Sequence, residues 1–256
     1  MIGVCEQETG RMQERQANAA SYDAEADAVF DRIATRYDLL CDLFSLGLHR
    51  LWKQRMAALI AAEPWQIMLD AAAGTGDIAL RVRRLPTLAQ RSIIVGDLSL
   101  AMLRRAERRA GRLACDLQFR RFDAHGMPGV PAASVDLYAI SLALKICDRP
   151  RVMTEAWRVL KPGGRFIALE ASEVAPEWLR TAYLTYLRTC LSTIGWLVTG
   201  GDASVYRYLL DGVRRFPAAE LLASELRSAG FEDIRFERLS LGIVAIHSAQ
   251  KPGAPR

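Results

Sequence analysis

Cysteine is scarce in this chain, and the spacing of its cysteines excludes two classes of site. The 256 residues include five cysteines, an odd number, and no two of them lie within 30 residues of each other. Disulfide scaffolds need cysteines that can pair, and zinc sites need closely spaced ligands, so neither a disulfide scaffold nor a metal site is expected. The pattern is typical of a reducing compartment, which predicts a cytoplasmic location. The cysteines are Cys5, Cys41, Cys115, Cys147 and Cys190.

Long uncharged apolar segments are also missing. Residues 1–10 lack the basic start and the long apolar run of a secretory signal, so secretion is not expected. The most lipophilic segment, 178–198, contains Arg180 and Arg188, which leave only residues 189–201 uncharged. That stretch is too short to cross a bilayer, so no membrane span is predicted.

Positive charge is in moderate excess, with a formal net charge of +5. Five arginines cluster where a helix is expected. A solvated helix face is the favoured interpretation of this cluster, and attraction to an anionic membrane surface is the second. Nucleic acid is not an expected partner, because no aromatic residues interleave with the arginines to stack on bases. The cluster consists of Arg104, Arg105, Arg108, Arg109 and Arg112.

The most informative segment present is a glycine turn, L-D-A-A-A-G-T-G-D at residues 69–77. An apolar strand-like run precedes it and a helix-like pattern follows. Gly74 and Gly76 have no Cβ, so their backbone can approach a bound molecule closely and adopt positive φ. Asp97 ends a second apolar run, residues 92–96, and a carboxylate there can accept both hydroxyls of a ribose. The turn therefore predicts a nucleoside-containing cofactor.

Two cofactor classes fit this turn. Gly74, Gly76 and Ala79 satisfy the relaxed G-x-G-x-x-A pattern of dinucleotide sites, which alone is a weak signal. Asp77, however, places a carboxylate where a pyrophosphate would bind. S-adenosylmethionine carries no phosphate, and Asp70 and Asp77 suit its ammonium and sulfonium groups. It is therefore the favoured cofactor, and a turn that binds nothing is the least favoured interpretation.

Strand and helix signals alternate along the chain, which predicts an α/β fold with a doubly wound, mostly parallel sheet. A helix over residues 149–160 is expected to stop at Lys-Pro-Gly-Gly, 161–164. An antiparallel pair, 231–239 and 242–248, is expected to close the sheet. The predicted organisation is a flexible polar tail over residues 1–27, one domain over 28–250 and a disordered tail over 251–256.

Longer motifs resemble a known family, the ubiquinone/menaquinone C-methyltransferases of the UbiE/MenG type. The resemblance covers nearly the whole chain, from about Phe30 to His247. It implies a class I methyltransferase fold with N-terminal helices, S-adenosylmethionine as methyl donor and a ring carbon of a polyprenylated hydroquinone as acceptor. The motifs are V-F-D-R-I-A-T-R-Y-D-L-L-C-D-L-F-S-L-G-L-H-R-L-W-K (29–53), the glycine turn, R-V-L-K-P-G-G (158–164), G-D-A-S-V-Y-R-Y-L (201–209) and L-S-L-G-I-V-A-I-H (239–247).

The resemblance also implies a set of cofactor-binding residues. Asp97 is the implied ribose acceptor, and Asp123 with Ala124 forms the adenine side, although Asp123 without the resemblance would be an ordinary strand-end acid. Tyr37 is implied to lie near the cofactor or the acceptor, and its alternative is a half-buried aromatic on a helix. The set consists of Tyr37, Asp70, Ala72, Gly74, Gly76, Asp97, Leu98, Asp123, Ala124 and Ser141.

The acceptor side departs from the family. Where the family reads F-G-L-R-N, this chain reads L-A-L-K-I at 142–146, so Lys145 replaces an arginine and Ile146 an asparagine. Methylation of a ring carbon requires loss of a phenolic proton, and hence a base. Stabilisation of the phenolate is the favoured role for Lys145, with a surface lysine as the alternative. For His49 a structural imidazole is favoured over a base. The catalytic candidates are Lys145, Glu170, His49 and Tyr206, with Asp148 also in position to act as a base.

Three interpretations of function remain open at this point. The first is C-methylation of a prenylated quinol or related lipophilic aromatic. The second is methylation of another acceptor, such as a secondary-metabolite ring, an isoprenoid or a phospholipid amine. The third is a cofactor-binding scaffold without turnover. A lipophilic substrate predicts peripheral contact with the inner face of a membrane, and a homodimer is a possible assembly. The helical segment 176–201 would form an apolar wall of the substrate pocket.

Overall fold

The computed structural model describes residues 37–85, 91–174, 177–199 and 204–253. Helices and strands alternate through this part of the chain, as expected. The helices are α1 (Tyr37–Ser45), α2 (Leu48–Ala62), α3 (Asp77–Arg83), α4 (Leu100–Ala110), α5 (Arg149–Val159), α6 (Glu177–Thr199), α7 (Ser204–Arg215) and α8 (Ala219–Ser228). The strands are β1 (Ile67–Ala71), β2 (Ser92–Asp97), β3 (Leu117–Arg121), β4 (Val135–Ser141), β5 (Leu160–Ala171), β6 (Glu232–Leu239) and β7 (Val244–Gln250).

The strands form one sheet in the order β3-β2-β1-β4-β5-β7-β6. The pairs among β1 to β5 are parallel, whereas β7 runs antiparallel to both β5 and β6. This arrangement confirms the predicted doubly wound sheet with a closing antiparallel pair. The strand order reverses between β1 and β4, and ligands of such sheets bind outside the carboxyl ends of the strands at that point.

Apolar side chains cover both faces of the sheet, which explains why the central strands are apolar without alternation. On one face, Met56 and Ile60 of α2 and Val82 of α3 belong to one buried cluster. On the other face, Val152 of α5 and Leu222 of α8 belong to a second cluster. The central strands are therefore held rigidly, and their carboxyl ends form a fixed platform for side chains.

The Lys-Pro-Gly-Gly segment differs from its prediction. Helix α5 ends at Val159, and β5 begins at once at Leu160, which pairs with Val135. The helix is therefore capped by Leu160 and not by a glycine, because the strand pairing takes the backbone straight out of the helix. Gly163, with φ of 80°, lies within β5, in the stretch where its pairing with β4 is irregular.

Lys251, which the prediction assigns to the C-terminal tail, packs against the domain. The Nζ atom of Lys251 donates hydrogen bonds to the carbonyls of Trp157 and Leu160, each at 2.7 Å. Carbonyls at the end of a helix lack partners within the helix, so a lysine there satisfies them. Lys251 is thus part of the folded domain. Residues 254–256 and the predicted N-terminal tail, 1–27, lie outside the described residues.

The closing strands β6 and β7 and the helix α6 agree with their predicted bounds to within about two residues, and the two N-terminal helices α1 and α2 are present. Within the described ranges, no helix combines the length and the apolar character needed to cross a membrane.

Candidate functional site

The glycine turn after β1 is held by Asp97 at the end of β2. One carboxylate oxygen of Asp97 accepts the N–H of Gly74 at 2.7 Å, and the other accepts the N–H of Ser99 at 2.9 Å. Gly74 and Gly76 have φ of 57° and 74°. A Cβ on Gly76 would lie 3.0 Å from that of Ala106, so this position requires glycine for both conformation and packing. The predicted turn and the predicted acid therefore meet directly.

Asp70 lies in β1, directly before this turn, and is 1% exposed. One of its oxygens accepts the N–H of Ala79, in the first turn of α3, at 3.0 Å. The other, Oδ1, has no hydrogen-bond partner among the described residues. Burial raises the pKa of Asp70 to about 7, although the bond from Ala79 and the charge of Lys53 act in the opposite direction.

Asp123 follows β3 and is organised by His125, a residue that no sequence motif indicated. A single oxygen of Asp123 accepts the backbone N–H of His125 at 2.9 Å and lies 2.7 Å from its Nδ1 atom. Burial opposes ionisation of Asp123, but the bonds from His125 outweigh it and lower the pKa of the carboxyl group. Ala124, beside it, is buried. The one sequence signal for His125 is its position two residues after Asp123.

The residues predicted to face the acceptor lie at the ends of β4 and β5. Lys145 lies in a short 3₁₀ helix, and its Nζ atom contacts both the carbonyl of Leu142 and Oε1 of Glu170, the latter at 3.2 Å. The Lys145 N–H donates to Oε2 of Glu170 at 3.1 Å. Glu170 is 1% exposed. Lys145 is therefore not the surface lysine of the alternative interpretation, because it forms a buried ion pair with another catalytic candidate.

Backbone conformation near this pair is unusual. Ala72 after β1 and Leu142 after β4 have φ of 49° and 56°, which non-glycine residues rarely adopt. The strands that they follow are neighbours in the sheet. Ser141, the last residue of β4, has a buried hydroxyl without a partner among the described residues. Ala72 and Leu142 are two of the seven described non-glycine residues with positive φ, and both follow the carboxyl ends of strands where the ligand is predicted.

The structure corrects the expectation that Asp77 is available to the cofactor. Its carboxylate lies 3.2 Å from Lys53 Nζ, 3.1 Å from Arg109 and 3.5 Å from Arg81. These cations outweigh burial and keep the pKa of Asp77 well below its ordinary value. Asp77 thus joins α2, α3 and α4 and does not offer a free anion. The buried Lys53 was not recognised from sequence, because its partner is distant along the chain.

The basic cluster, which lies on α4 and on the short 3₁₀ helix Gly111–Asp116 that follows it, is also divided. Arg104, Arg108 and Arg112 are exposed, as a solvated face requires. Arg105 and Arg109, in contrast, form ion pairs with Asp38 of α1 at 3.0 and 3.4 Å. The expectation of a solvated face is therefore wrong for these two arginines, which hold the N-terminal helix against the domain.

His49 has the environment of a structural imidazole. Its ring is buried, and Nδ1 lies 2.8 Å from the hydroxyl of Ser45. Burial and the charge of Lys53 lower the pKa of His49 to about 4, so the ring is neutral near pH 7 and a weak base. This finding supports the structural interpretation and removes the reason to consider His49 catalytic.

The other predicted site residues are placed as follows. Leu98 is half-buried, and its carbonyl accepts a hydrogen bond from Arg121 at 2.9 Å. Asp148 caps the start of α5 by accepting the N–H of Arg151, which is a structural use of its carboxylate. The side chains of Tyr37 and Tyr206 lie outside what the structure describes.

Comparison with models of protein families identifies the family of this chain. The model of the ubiE/COQ5 methyltransferase family matches residues 18–251. The chain belongs to this family. The match confirms the resemblance and the predicted enzyme class, a methyltransferase, over nearly the whole sequence.

Individual relatives of this methyltransferase support the same family assignment. The ubiquinone/menaquinone biosynthesis C-methyltransferase UbiE of Acidiphilium cryptum is 41% identical over 223 residues, which cover 86% of this chain and 88% of that protein. The mitochondrial 2-methoxy-6-polyprenyl-1,4-benzoquinol methylase of Drosophila melanogaster is 35% identical over 238 residues, which cover 87% of this chain and 78% of that protein. A methyltransferase structure from Thermotoga maritima, described as a possible histamine N-methyltransferase, has a TM-score of 0.62 at 19% identity, covering 88% of this chain and 99% of that one. The last comparison confirms the fold.

Proposed function

We propose that this chain transfers a methyl group from S-adenosylmethionine to a ring carbon of a prenylated quinol or a related lipophilic aromatic. The observation that carries the proposal is the family match over residues 18–251, together with the activities named for relatives of up to 41% identity. The alternative acceptors and the scaffold without turnover receive no support from these relatives.

The residues at the switch point fit this cofactor. Gly74 and Gly76 supply the positive φ angles of the turn, and Asp97 fixes the turn by accepting the N–H of Gly74. The buried hydroxyl of Ser141 and Oδ1 of Asp70 lack partners among the described residues, as expected of atoms near a polar ligand. When bound, S-adenosylmethionine supplies an electrophilic methyl group. In our proposal Asp97 accepts the ribose hydroxyls and Asp123 lies on the adenine side.

On the acceptor side, the ammonium of Lys145 stabilises the developing phenolate. Glu170 holds this ammonium in position. Their contact of 3.2 Å, with both side chains largely buried, supports this arrangement. A charge held in a dry, preorganised site stabilises an anion much more than a solvated one does. Glu170 accepts three hydrogen bonds, from the backbone and Nζ of Lys145 and from the N–H of Ala171, so we assign it to positioning.

The Asp97→Ala substitution tests the cofactor site. It removes the acceptor of the ribose hydroxyls and also releases Gly74, so affinity for S-adenosylmethionine should fall roughly tenfold to a hundredfold in calorimetric titration. Asp136→Ala is the matched control, because Asp136 also accepts two backbone N–H groups, from Gln66 and Ile67, but at the opposite end of the sheet. Its affinity should match the wild type. Absence of binding by the wild-type protein would refute the proposed function.

Peripheral contact with an anionic membrane is a further part of the proposal. Each exposed arginine near a lipid surface contributes about 1 kcal/mol, so replacing Arg104, Arg108 and Arg112 with glutamine should reduce salt-sensitive flotation on phosphatidylserine vesicles strongly. The control replaces three exposed arginines elsewhere, Arg214, Arg215 and Arg235, with the same loss of charge. Equal flotation of both variants would contradict contact through Arg104, Arg108 and Arg112.

A further inference from the structure

His125 makes two hydrogen bonds that define its protonation state. Its Nδ1 atom lies 2.7 Å from Asp123, whose carboxylate can only accept, so Nδ1 carries a proton. Its Nε2 atom lies 2.9 Å from the backbone N–H of Asp148, which can only donate, so Nε2 is unprotonated. The imidazole is thus neutral, and its side chain is only 8% exposed. A single tautomer satisfies both neighbours.

These two neighbours belong to different sides of the site. Asp123 follows β3 on the side proposed for adenine. Asp148 ends the segment 142–148, which contains Lys145, and begins α5. Midway along, at Lys145, this segment is tied to Glu170. His125 is therefore the side chain that connects the proposed adenine side to the far end of the acceptor segment.

We propose that His125 is a positioning residue for methyl transfer, which holds Asp123 toward the cofactor through Nδ1 and fixes the acceptor segment through Nε2. This inference rests on the proposed function. It adds a residue that touches neither reactant but acts through one neighbour on each side. Because the two bonds leave the ring from different atoms, their contributions are separable by substitution.

Two isosteric substitutions divide the roles. Asparagine at 125 places an amide N–H near the position of Nδ1, which retains the donor to Asp123 and loses the acceptor for Asp148. Glutamine places an amide oxygen near the position of Nε2, which retains the acceptor and loses the side-chain donor. The variants His125→Asn and His125→Gln therefore each keep one bond of the pair.

The experiment measures S-adenosylmethionine affinity by calorimetry and single-turnover methyl transfer to a demethylated prenyl quinol at saturating cofactor. His125→Gln should weaken cofactor binding about 3- to 10-fold with little change in the single-turnover rate. His125→Asn should bind the cofactor like the wild type and transfer methyl about 3- to 10-fold more slowly. Ser134→Ala, which removes an exposed hydroxyl bond to Pro131 in the same β3–β4 connection, should change neither.

Equal losses of both quantities in both variants would indicate a purely structural histidine and overturn the inference, as would variants that behave like the wild type. Reversal of the two patterns would also overturn it. Failure of the wild-type protein itself to bind the cofactor or to methylate the quinol would instead refute the proposed function, so the two failures are distinguishable.

Discussion

The Lys145→Met variant is expected to lose about 3 to 5 kcal/mol of unfolding free energy and about a hundredfold in kcat. The stability loss follows from burial, because methionine leaves the Glu170 carboxylate without its cation while Glu170 is 1% exposed. The loss of kcat follows from the proposed phenolate contact, which is made mainly in the transition state. Affinity for S-adenosylmethionine should stay near the wild-type value.

The double variant Lys145→Met/Glu170→Gln separates these two effects. Replacing the carboxylate with an amide removes the uncompensated charge, so at least half of the lost stability should return in urea unfolding. Activity should remain low, because the ammonium is still missing. Lys161→Met is the matched control, since Lys161 forms a partly exposed pair with Asp136 at 2.7 Å and should cost under about 1 kcal/mol. Recovery of full activity in the double variant would exclude direct action of Lys145 on the acceptor.

The Asp70→Asn variant is expected to gain stability over the wild type as pH rises from about 4 to about 7. The folded-state pKa of about 7 exceeds the ordinary value of 3.8, so the folded protein binds more protons than the unfolded chain between these values. Wild-type stability therefore falls as pH rises through this window and is level above it. Asparagine does not titrate, so the stability difference should shift by about 4 kcal/mol in its favour across this window.

Urea unfolding of both proteins between pH 4.5 and 8 measures this difference. Asp77→Asn provides the opposite case, because the cations around Asp77 lower its pKa and its contribution is present above the unfolded pKa and lost as pH falls. Between pH 4.5 and 8 the difference for Asp70→Asn should therefore change with pH, whereas that for Asp77→Asn should stay level because its window lies below the unfolded pKa. A pH-independent difference for Asp70→Asn would show that this carboxyl group ionises normally in the folded protein.

Much of the cofactor side could be predicted because it depends on local chemistry. Gly74, Gly76 and Asp97 occupy a strand–turn–helix motif whose backbone demands select those residue types. The meeting of Asp97 with Gly74 follows once β1 and β2 are recognised as parallel neighbours. Roles toward the ligand remain predictions at each of these positions.

Contacts between distant segments could not be predicted in this way. The pairs Lys53 with Asp77 and Arg109 with Asp38 join residues that are 24 and 71 positions apart. A carboxylate after a glycine turn has the same local pattern whether it faces a ligand or three cations. Asp77 was misassigned for that reason.

The sequence by itself determined the alternating strands and helices, the glycine turn with its downstream acid and the family, because these depend on periodicity and on motifs short enough to be read in one stretch. Only the tertiary structure decided that Lys145 is bound to Glu170, that His49 is a buried neutral imidazole and that His125 links Asp123 to Asp148. Burial and ion pairing set the charge of such groups, and both depend on which distant segments pack around a side chain.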